Sequence, residues 1–250
     1  MNAVRNRVIT DLRERIASLE SPASRKAGLL PFQVAAIDAA LPGGGLAYGA
    51  LHEVSGGGTG AVDGTAAALF VAGIAARTTG PIVWCLTRPD LFFPALAQAG
   101  LHPDRVYFVE SDKEEDVLAN AEEALAYGGL GAVVAELVRL PMVASRRLQL
   151  AAEKTGAMAI VVRRWRRPTE ASDYGQPTAS TTRWRVSVLP SEELPVATVG
   201  RANWLLELMR VKAGECAEFI VGACDASGRI DLSTGPADRQ DQTGRSFAAG

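Results

Sequence analysis

Residues 52–70 read HEVSGGGTGAVDGTAAALF, an order that predicts a strand, a glycine-rich loop and an apolar helix. We expect the strand over residues 51–54 and the helix over residues 65–77. A phosphate group binds the backbone N–H groups at such a helix start. A P-loop also needs Gly-Lys-Ser/Thr at its end, where lysine reaches the phosphates and the hydroxyl binds magnesium. Here the loop ends Asp63-Gly64-Thr65, and no lysine lies between Lys26 and Lys113.

Three interpretations of this loop remain open: an active ATPase, a dinucleotide-binding turn, and a phosphate loop kept as scaffold after its chemistry was lost. Gly56-x-Gly58-x-x-Ala61 fits the dinucleotide pattern loosely, but the next strand ends without the ribose-binding acid that the pattern requires. Glycines alone still permit a tight strand-to-helix turn, which favours the scaffold. The degenerate phosphate loop comprises Gly56, Gly57, Gly58, Gly60, Gly64 and Thr65.

The remaining chain predicts an α/β core with a mainly parallel sheet, because apolar runs alternate with helical patterns. After residue 182 the helices stop, and three segments predict antiparallel strands that extend the sheet. The expected strands are 82–86, 106–109, 132–135, 158–162, 183–189, 203–211 and 216–223. The expected helices are 4–19 and 91–98, one that begins with a Ser111/Glu114 capping box, and one opened by Pro141.

Composition bounds the class of protein. The chain has 250 residues, 48% of them hydrophobic, so one large core is expected. Its net charge of −2 argues neither for nor against binding of nucleic acid. The amphipathic N-terminus lacks a signal-peptide core, no apolar run approaches membrane-spanning length, and three cysteines lack metal spacing. We therefore expect a cytoplasmic protein without membrane contact, metal site or cofactor.

The order of these elements resembles the RecA superfamily. The resemblance lies in IDAALPGGGLAYGALHEVSGGG (residues 37–58), ALAQAGLHPDRVYFVES (95–111) and ANWLLELMRVKAGECAEFIV (202–221). It covers roughly residues 5–232 and implies a RecA-like core. The expected division is an N-terminal helix and linker over 1–30, the core over 31–231, and a disordered tail over 232–250.

Within that superfamily, the lost lysine, the triple glycine and LTRPDLFFPALAQAGL (86–101) look most like the ImuA family, which is related to SulA. The resemblance implies a non-catalytic accessory role in damage-induced (SOS) mutagenesis and translesion synthesis. It implies as partners the inactive Y-family polymerase relative ImuB, an error-prone replicative-type polymerase and RecA itself. Against the RecA pattern, Glu136 stands as a vestigial acidic position. The region of the catalytic glutamate reads Thr87-Arg88-Pro89-Asp90, where the proline and arginine argue against Asp90 as a shifted substitute. The expected protein is a pseudo-ATPase with no catalytic residue.

The most informative polar segment is RRWRRPTEASDYGQPTASTTRWR, residues 163–185. Arginine neutralises phosphates and aromatic rings stack on bases, and the equivalent RecA loop contacts single-stranded DNA. Contact with DNA, contact with a protein and a solvated surface all remain open, and Trp184 has a core interpretation on an alternating strand. The residues predicted for DNA or partner contact are Arg163, Arg164, Trp165, Arg166, Arg167, Arg183 and Arg185.

Smaller features are open to plain explanations. Arg146 and Arg147 are expected on an exposed helix face, and the acidic residues 112–123 are expected to be a solvated face or a docking surface. The helix over 4–19 is a further candidate for binding RecA or a second copy, and the tail for binding a partner. Two alternative functions remain: a SulA-like division inhibitor that binds FtsZ, and a divergent RecA-like ATPase.

Overall fold

The computed structural model describes residues 28–58, 60–165, 167–191 and 200–232. The helix predicted over residues 4–19, nearly all of the linker, Arg166 and the tail beyond Leu232 lie outside these ranges. Within the described residues, no helix is both long enough and apolar enough to cross a membrane.

Strands and helices alternate through the first two thirds of the described chain. The helices are α1 Ala35–Ala40, α2 Ala61–Ala76, α3 Phe93–Gln98, α4 Glu114–Tyr127 and α5 Met142–Thr155. The strands are β1 Leu29–Leu30, β2 Leu46–Ala47, β3 Leu51–Gly56, β4 Ile82–Leu86, β5 Val106–Glu110, β6 Ala132–Leu137, β7 Met158–Arg163, β8 Thr182–Leu189, β9 Asn203–Val211, β10 Ala217–Gly222 and β11 Asp231–Leu232.

Nine strands form the central sheet, in the order β11-β10-β9-β8-β3-β7-β6-β4-β5. The neighbours from β8 to β5 run parallel, and β9, β10 and β11 continue the sheet antiparallel. The predicted α/β class with an antiparallel extension is confirmed. One detail was wrong: β8 was predicted as an antiparallel addition, but it pairs parallel with β3 and antiparallel only with β9.

The two faces of the sheet carry different helices. Helix α2 packs on one face, where Phe70 contacts Trp184 and Trp204 at ring-centroid distances of 5.9 and 6.4 Å. Helices α4 and α5 pack on the other face against Leu51, Val133 and Val161. Because α2 is apolar on most of its surface, it is buried along most of its length. Trp184 is fully buried, so its core interpretation is confirmed.

Residue types predicted the ends of α5 correctly but not the start of α4. Pro141 precedes α5 and Gly156 ends it in a left-handed conformation, as their residue types favour. The predicted Ser111 cap of α4 is wrong, because the helix begins after Lys113 without a side-chain cap. The Ser111 hydroxyl instead accepts a hydrogen bond from Asn120, and the Glu114 carboxylate accepts one from the Val138 N–H.

The parallel strands bring their carboxyl ends to one edge of the sheet. Ligands of open α/β sheets bind at this edge. The glycine-rich loop after β3, the segments after β4 and β7, and Glu136 near the end of β6 therefore lie together there.

Candidate functional site

The glycine-rich loop follows β3 at the sheet edge and packs against the end of the neighbouring strand β8. Helix α2 begins at Ala61, four residues before its predicted start. The Gly57 N–H donates to the Val186 carbonyl at 2.8 Å, and a Cβ atom on Gly57 would lie 1.8 Å from the Ser187 hydroxyl oxygen. A Cβ atom on Gly60 or Gly64 would meet open space. Close packing against β8 therefore requires glycine at 57 but not at 60 or 64.

A carboxylate lies in the first turn of α2, beside the loop. Asp63 Oδ1 accepts a hydrogen bond from the Val188 N–H at 2.9 Å, and Asp63 Oδ2 lies 3.0 Å from the position of a Cβ on Gly58. The positive end of a helix dipole stabilises an anion, and here that anion is a side chain of the protein itself. Thr65, at the P-loop hydroxyl position, donates within the helix to the Ala61 carbonyl at 2.8 Å.

A second group of charges, the edge cluster, consists of Asp90, Glu136 and Arg164. Arg164 Nη1 lies 2.7 Å from Asp90 Oδ1 and 2.7 Å from Glu136 Oε2. The other oxygen of Glu136 accepts a hydrogen bond from Trp84 Nε1 at 2.9 Å. Burial raises the pKa of Glu136 above its usual value, Arg164 opposes the shift, and the charge of Asp90 adds to it.

The edge cluster resembles a cation site whose cation is a guanidinium group. Two carboxylates converge on one positive charge, as they do around a bound divalent metal. Arg164 supplies that charge from the chain and meets both acids directly. Glu136, predicted as the vestigial acid, is 5% exposed.

A cavity of about 260 Å³ joins the loop to the edge cluster. Its walls include Gly58, Gly64, Arg88, Asp90 and Trp165. Arg88 is partly buried and has no hydrogen bond or ion pair within the described chain. Within the described residues, the site therefore offers one unpaired cation, Arg88, beside a loop whose helix start is occupied by Asp63.

Residues of the basic segment also form a third group of charges with Glu53 of β3. This inner cluster consists of Glu53, Arg163, Asp173 and Arg183. Arg163 is 1% exposed, and its guanidinium lies 2.7 Å from Glu53 and 2.6 Å from Asp173. Arg183 Nε donates to the other oxygen of Glu53 at 2.9 Å. Buried guanidinium groups that face Glu53 cannot touch DNA from this position. For Arg163 and Arg183, the structure thus replaces the predicted contact with an internal ion-pair role.

The rest of the predicted contact residues differ in exposure. Arg185 forms an ion pair with Glu207 across β8 and β9, with the side chain about one-third exposed. Trp165 is partly buried, donates to the Val138 carbonyl at 3.0 Å and packs edge-on against Tyr174. Arg167 is exposed, and Arg166 lies outside the described residues. Arg163, Arg164 and Trp165 border the cavity, but the guanidinium of Arg163 is held by acids of the inner cluster. Arg164, Trp165, Arg167 and Arg185 are at least partly exposed.

The two arginines of α5 are both exposed but differ in their contacts. Arg146 is exposed, as expected for a plain helix face. Arg147 instead forms an ion pair with Glu122 of α4 at 2.5 Å. Neither arginine contacts the described part of the basic segment, and Arg147 partly neutralises the acidic helix.

Comparison with known proteins identifies the family. Protein ImuA of Caulobacter vibrioides, from strain NA1000 / CB15N and from strain ATCC 19089 / CIP 103742 / CB 15, is 37% identical over 208 residues, which cover 79% of this chain and 84% of the relative. The chain belongs to the ImuA family. No family model matches it.

A solved structure confirms the RecA-like fold of this ImuA-family chain. The crystal structure of the RadB recombinase matches it with a TM-score of 0.57 at 15% identity, over 82% of this chain and 100% of RadB. At that identity the likeness concerns the fold alone.

Four residues of this candidate site were not predicted as site residues: Glu53, Asp63, Arg88 and Asp173. Asp63 carried a readable signal, since an acid in a first helical turn stabilises that turn. Glu53 is fully buried in β3, where an unpaired carboxylate would be costly, so its burial requires a buried cation. Nothing in the sequence indicated which arginine supplies it, because the Glu53–Arg163 pair spans 110 residues.

Proposed function

We propose that this ImuA-family chain is a non-catalytic, RecA-like accessory protein of damage-induced mutagenesis. It acts through contacts with other proteins, in a complex of ImuB and an error-prone replicative-type polymerase, and with RecA as a further partner. Family membership supports the biological setting, and the chemistry of the sheet edge supports the absence of catalysis.

The observation that carries the non-catalytic part is the position of Arg164. Its guanidinium meets Glu136 and Asp90, the two acids at or near the acidic positions of the RecA pattern. A divalent cation would have to displace this guanidinium, whose Nη1 contacts both acids. The loop also lacks the lysine that neutralises phosphate charge, and Asp63 adds a negative charge at the helix start. Phosphoryl transfer depends on positive charge at those positions.

Single-stranded DNA is the second proposed contact of the same surface. Arg167 is exposed, Trp165 borders the cavity and Arg88 has no ion-pair partner in the described chain. This group offers two cations and one aromatic ring, which suits a phosphate backbone and a stacked base. The buried Arg163 and Arg183 are left out of this proposal and serve as internal controls for it.

Nucleotide turnover by the purified full-length chain tests the non-catalytic part. We expect no magnesium-dependent ATP hydrolysis above background and no binding of a fluorescent ATP analogue at millimolar concentration. A Glu136→Gln variant separates a true activity from a contaminating ATPase. Hydrolysis that disappears in that variant would overturn the proposal, whereas hydrolysis that both proteins share belongs to a contaminant and leaves the expectation of no intrinsic activity intact.

A pull-down with the tagged chain from damage-treated cells tests the setting. We expect polymerase subunits, ImuB or RecA among the proteins identified by mass spectrometry. FtsZ without any polymerase component would contradict the proposal and favour a SulA-like division inhibitor.

A further inference from the structure

Helices α4 and α5 form a layer on the face of the sheet opposite α2, and their outer sides are exposed. On α5, Val143 is 72% exposed and Leu150 is 58% exposed. On α4, Ala119 and Ala126 are exposed at the same spacing of seven residues. The outer side of this layer therefore carries two protruding apolar side chains on one helix and two small ones on the other.

A groove of about 230 Å³ runs between the two helices. Leu118 of α4 and Ala144 and Leu148 of α5 contribute to its lining. The ion pair between Arg147 and Glu122 joins the two helices within one molecule. Removing apolar surface from water is favourable, so this groove and the apolar side chains beside it favour contact with another protein surface.

The two helices carry opposite charges. Helix α4 has five acidic side chains and no basic one, whereas α5 has three basic side chains and one acidic one. The acidic row consists of Glu115 and Glu123, and the basic row consists of Arg146 and Lys154. All four side chains are exposed and form no hydrogen bond or ion pair within the described residues. Each row spans eight residues, which is about 12 Å along a helix.

A surface with an acidic half and a basic half is complementary to a second copy of itself. Two-fold homodimers, the commonest oligomers, use the same patch on both subunits. If the two-fold axis runs along the helices, α4 of each copy lies over α5 of the other, and acids face bases in both halves of the interface. If the axis runs across the helices, α4 lies over α4 and acids face acids. Like charges in contact are unfavourable, so the charges select the first arrangement.

We infer that the chain forms a two-fold homodimer through the outer sides of α4 and α5. The two helices follow strands that run parallel to β4, so they point in the same direction, and an axis along them keeps this direction in the second copy. The acidic row of one copy therefore meets the basic row of the other in the same order. Leu150, in the middle of the basic row, packs beside Ala119, in the middle of the acidic row.

The size of this surface limits the strength of the dimer. Each helix has 14 residues and is about 21 Å long, and two helices side by side are about 20 Å wide. A surface of this size lies at the low end for specific interfaces, which begin at about 1,200 Å² of total buried area. We therefore expect a dissociation constant on the order of micromolar.

Sedimentation velocity of the full-length chain, over concentrations of about 1–100 μM, tests the dimer. Leu150→Glu removes an apolar contact and places another acid opposite the acidic row, so we expect association to weaken at least about tenfold. Ile220→Glu is the matched control and should leave association unchanged, because Ile220 is 51% exposed but lies on β10. A chain that is monomeric over the whole range overturns the inference, and so does a dimer that Leu150→Glu leaves intact.

A charge exchange tests which helices meet. In one variant, Glu115→Arg and Glu123→Arg make both rows basic, and in the other, Arg146→Glu and Lys154→Glu make both rows acidic. Each variant alone should be monomeric, whereas an equimolar mixture should form a heterodimer, because every row then faces one of opposite charge. Circular dichroism establishes that both variants are folded. A folded pair that does not associate when mixed, or a variant that dimerises alone as well as the natural chain does, overturns the inference.

Discussion

Arg163 and Arg164 are neighbours at the end of β7, yet they enter clusters of different character. Arg163 joins Glu53, Asp173 and Arg183 in the inner cluster, with almost no exposure. Arg164 joins Asp90 and Glu136 in the edge cluster, next to a cavity and partly in solvent. Successive side chains of a strand point to opposite faces, so one residue step separates an internal support from a potential binding surface. A run of arginines is therefore not one surface.

The largest expected effect comes from removing the central acid of the inner cluster. Glu53→Gln leaves Arg163 with only its partly exposed acid, Asp173, and Arg183 with no acid, both guanidinium groups still buried. Breaking a buried ion pair from one side costs about 3–5 kcal/mol of unfolding free energy. Urea unfolding followed by tryptophan fluorescence measures it. Asp173→Asn, at a partly exposed acid, should cost less, and an equal cost in both variants would contradict the central position of Glu53.

The glycine-rich loop provides the next largest contrast. Gly57→Ala forces Ser187 or the loop to move, because the new Cβ lies far inside contact distance of that side chain. Such overpacking costs about 1–3 kcal/mol. Gly64→Ala, in the open first turn of α2, should instead stabilise by up to about 1 kcal/mol. Thermal unfolding of both variants measures the contrast, and equal destabilisation would show that the loop needs glycine for more than packing.

The edge cluster should respond to pH. The folded pKa of Glu136 is raised, so its contribution to stability is largest below its ordinary value of 4.5 and is lost as pH rises through the folded pKa. Arg164→Gln removes the opposing charge, and we expect it to cost about 1–3 kcal/mol at pH 7 and less in acid. Urea unfolding at several pH values measures this cost.

A double-mutant cycle with Glu136→Gln isolates the interaction energy between Arg164 and Glu136. Burial lowers the pKa of His52 to about 4, so the contribution of His52 to stability is lost as pH falls from 6.5 through that value. The cycle cancels this contribution, because it is the same in all four proteins. If the cost of Arg164→Gln does not change with pH or in the Glu136→Gln background, Arg164 does not stabilise the protein through Glu136.

The smallest effect on stability is expected at the exposed end of the segment. Arg167→Ala should change the unfolding free energy by less than about 0.5 kcal/mol, as is usual for surface positions. If Arg167 contacts a phosphate, the same variant should weaken binding of an oligothymidine and reduce the salt slope by about 0.7. Fluorescence anisotropy at several salt concentrations measures both. Binding that is unchanged would remove Arg167 from the proposed DNA contact.

Much of the fold was readable because it depends on local signals. Ile82–Leu86 is an uninterrupted apolar run, and its observed bounds equal the predicted ones. The start of α2 was predicted late, because Gly60, Asp63 and Gly64 read as loop residues although the helix accepts them. The capping box failed because the side chain of Ser111 bonds to Asn120 instead.

Only part of the candidate site could be predicted from the sequence. The missing lysine and the position of Glu136 follow from order along the chain. The separation of Arg163 from Arg164 depends on Glu53 and Asp90, whose contacts join residues 110 and 74 positions apart. Sequence periodicity does not predict contacts between such distant residues, so Arg163 and Arg164 looked equivalent in sequence.

The central place of β3 in the sheet has a consequence for synthesis of the protein. Both of its neighbours, β7 and β8, come late in the chain, and His52 meets Thr182 across a separation of 130 residues. During translation β3 therefore keeps both edges unpaired until the ribosome has synthesised most of the described chain. Unpaired strand edges promote aggregation. A nascent chain that stalls before β7 would thus expose the strand on which the whole sheet is later built.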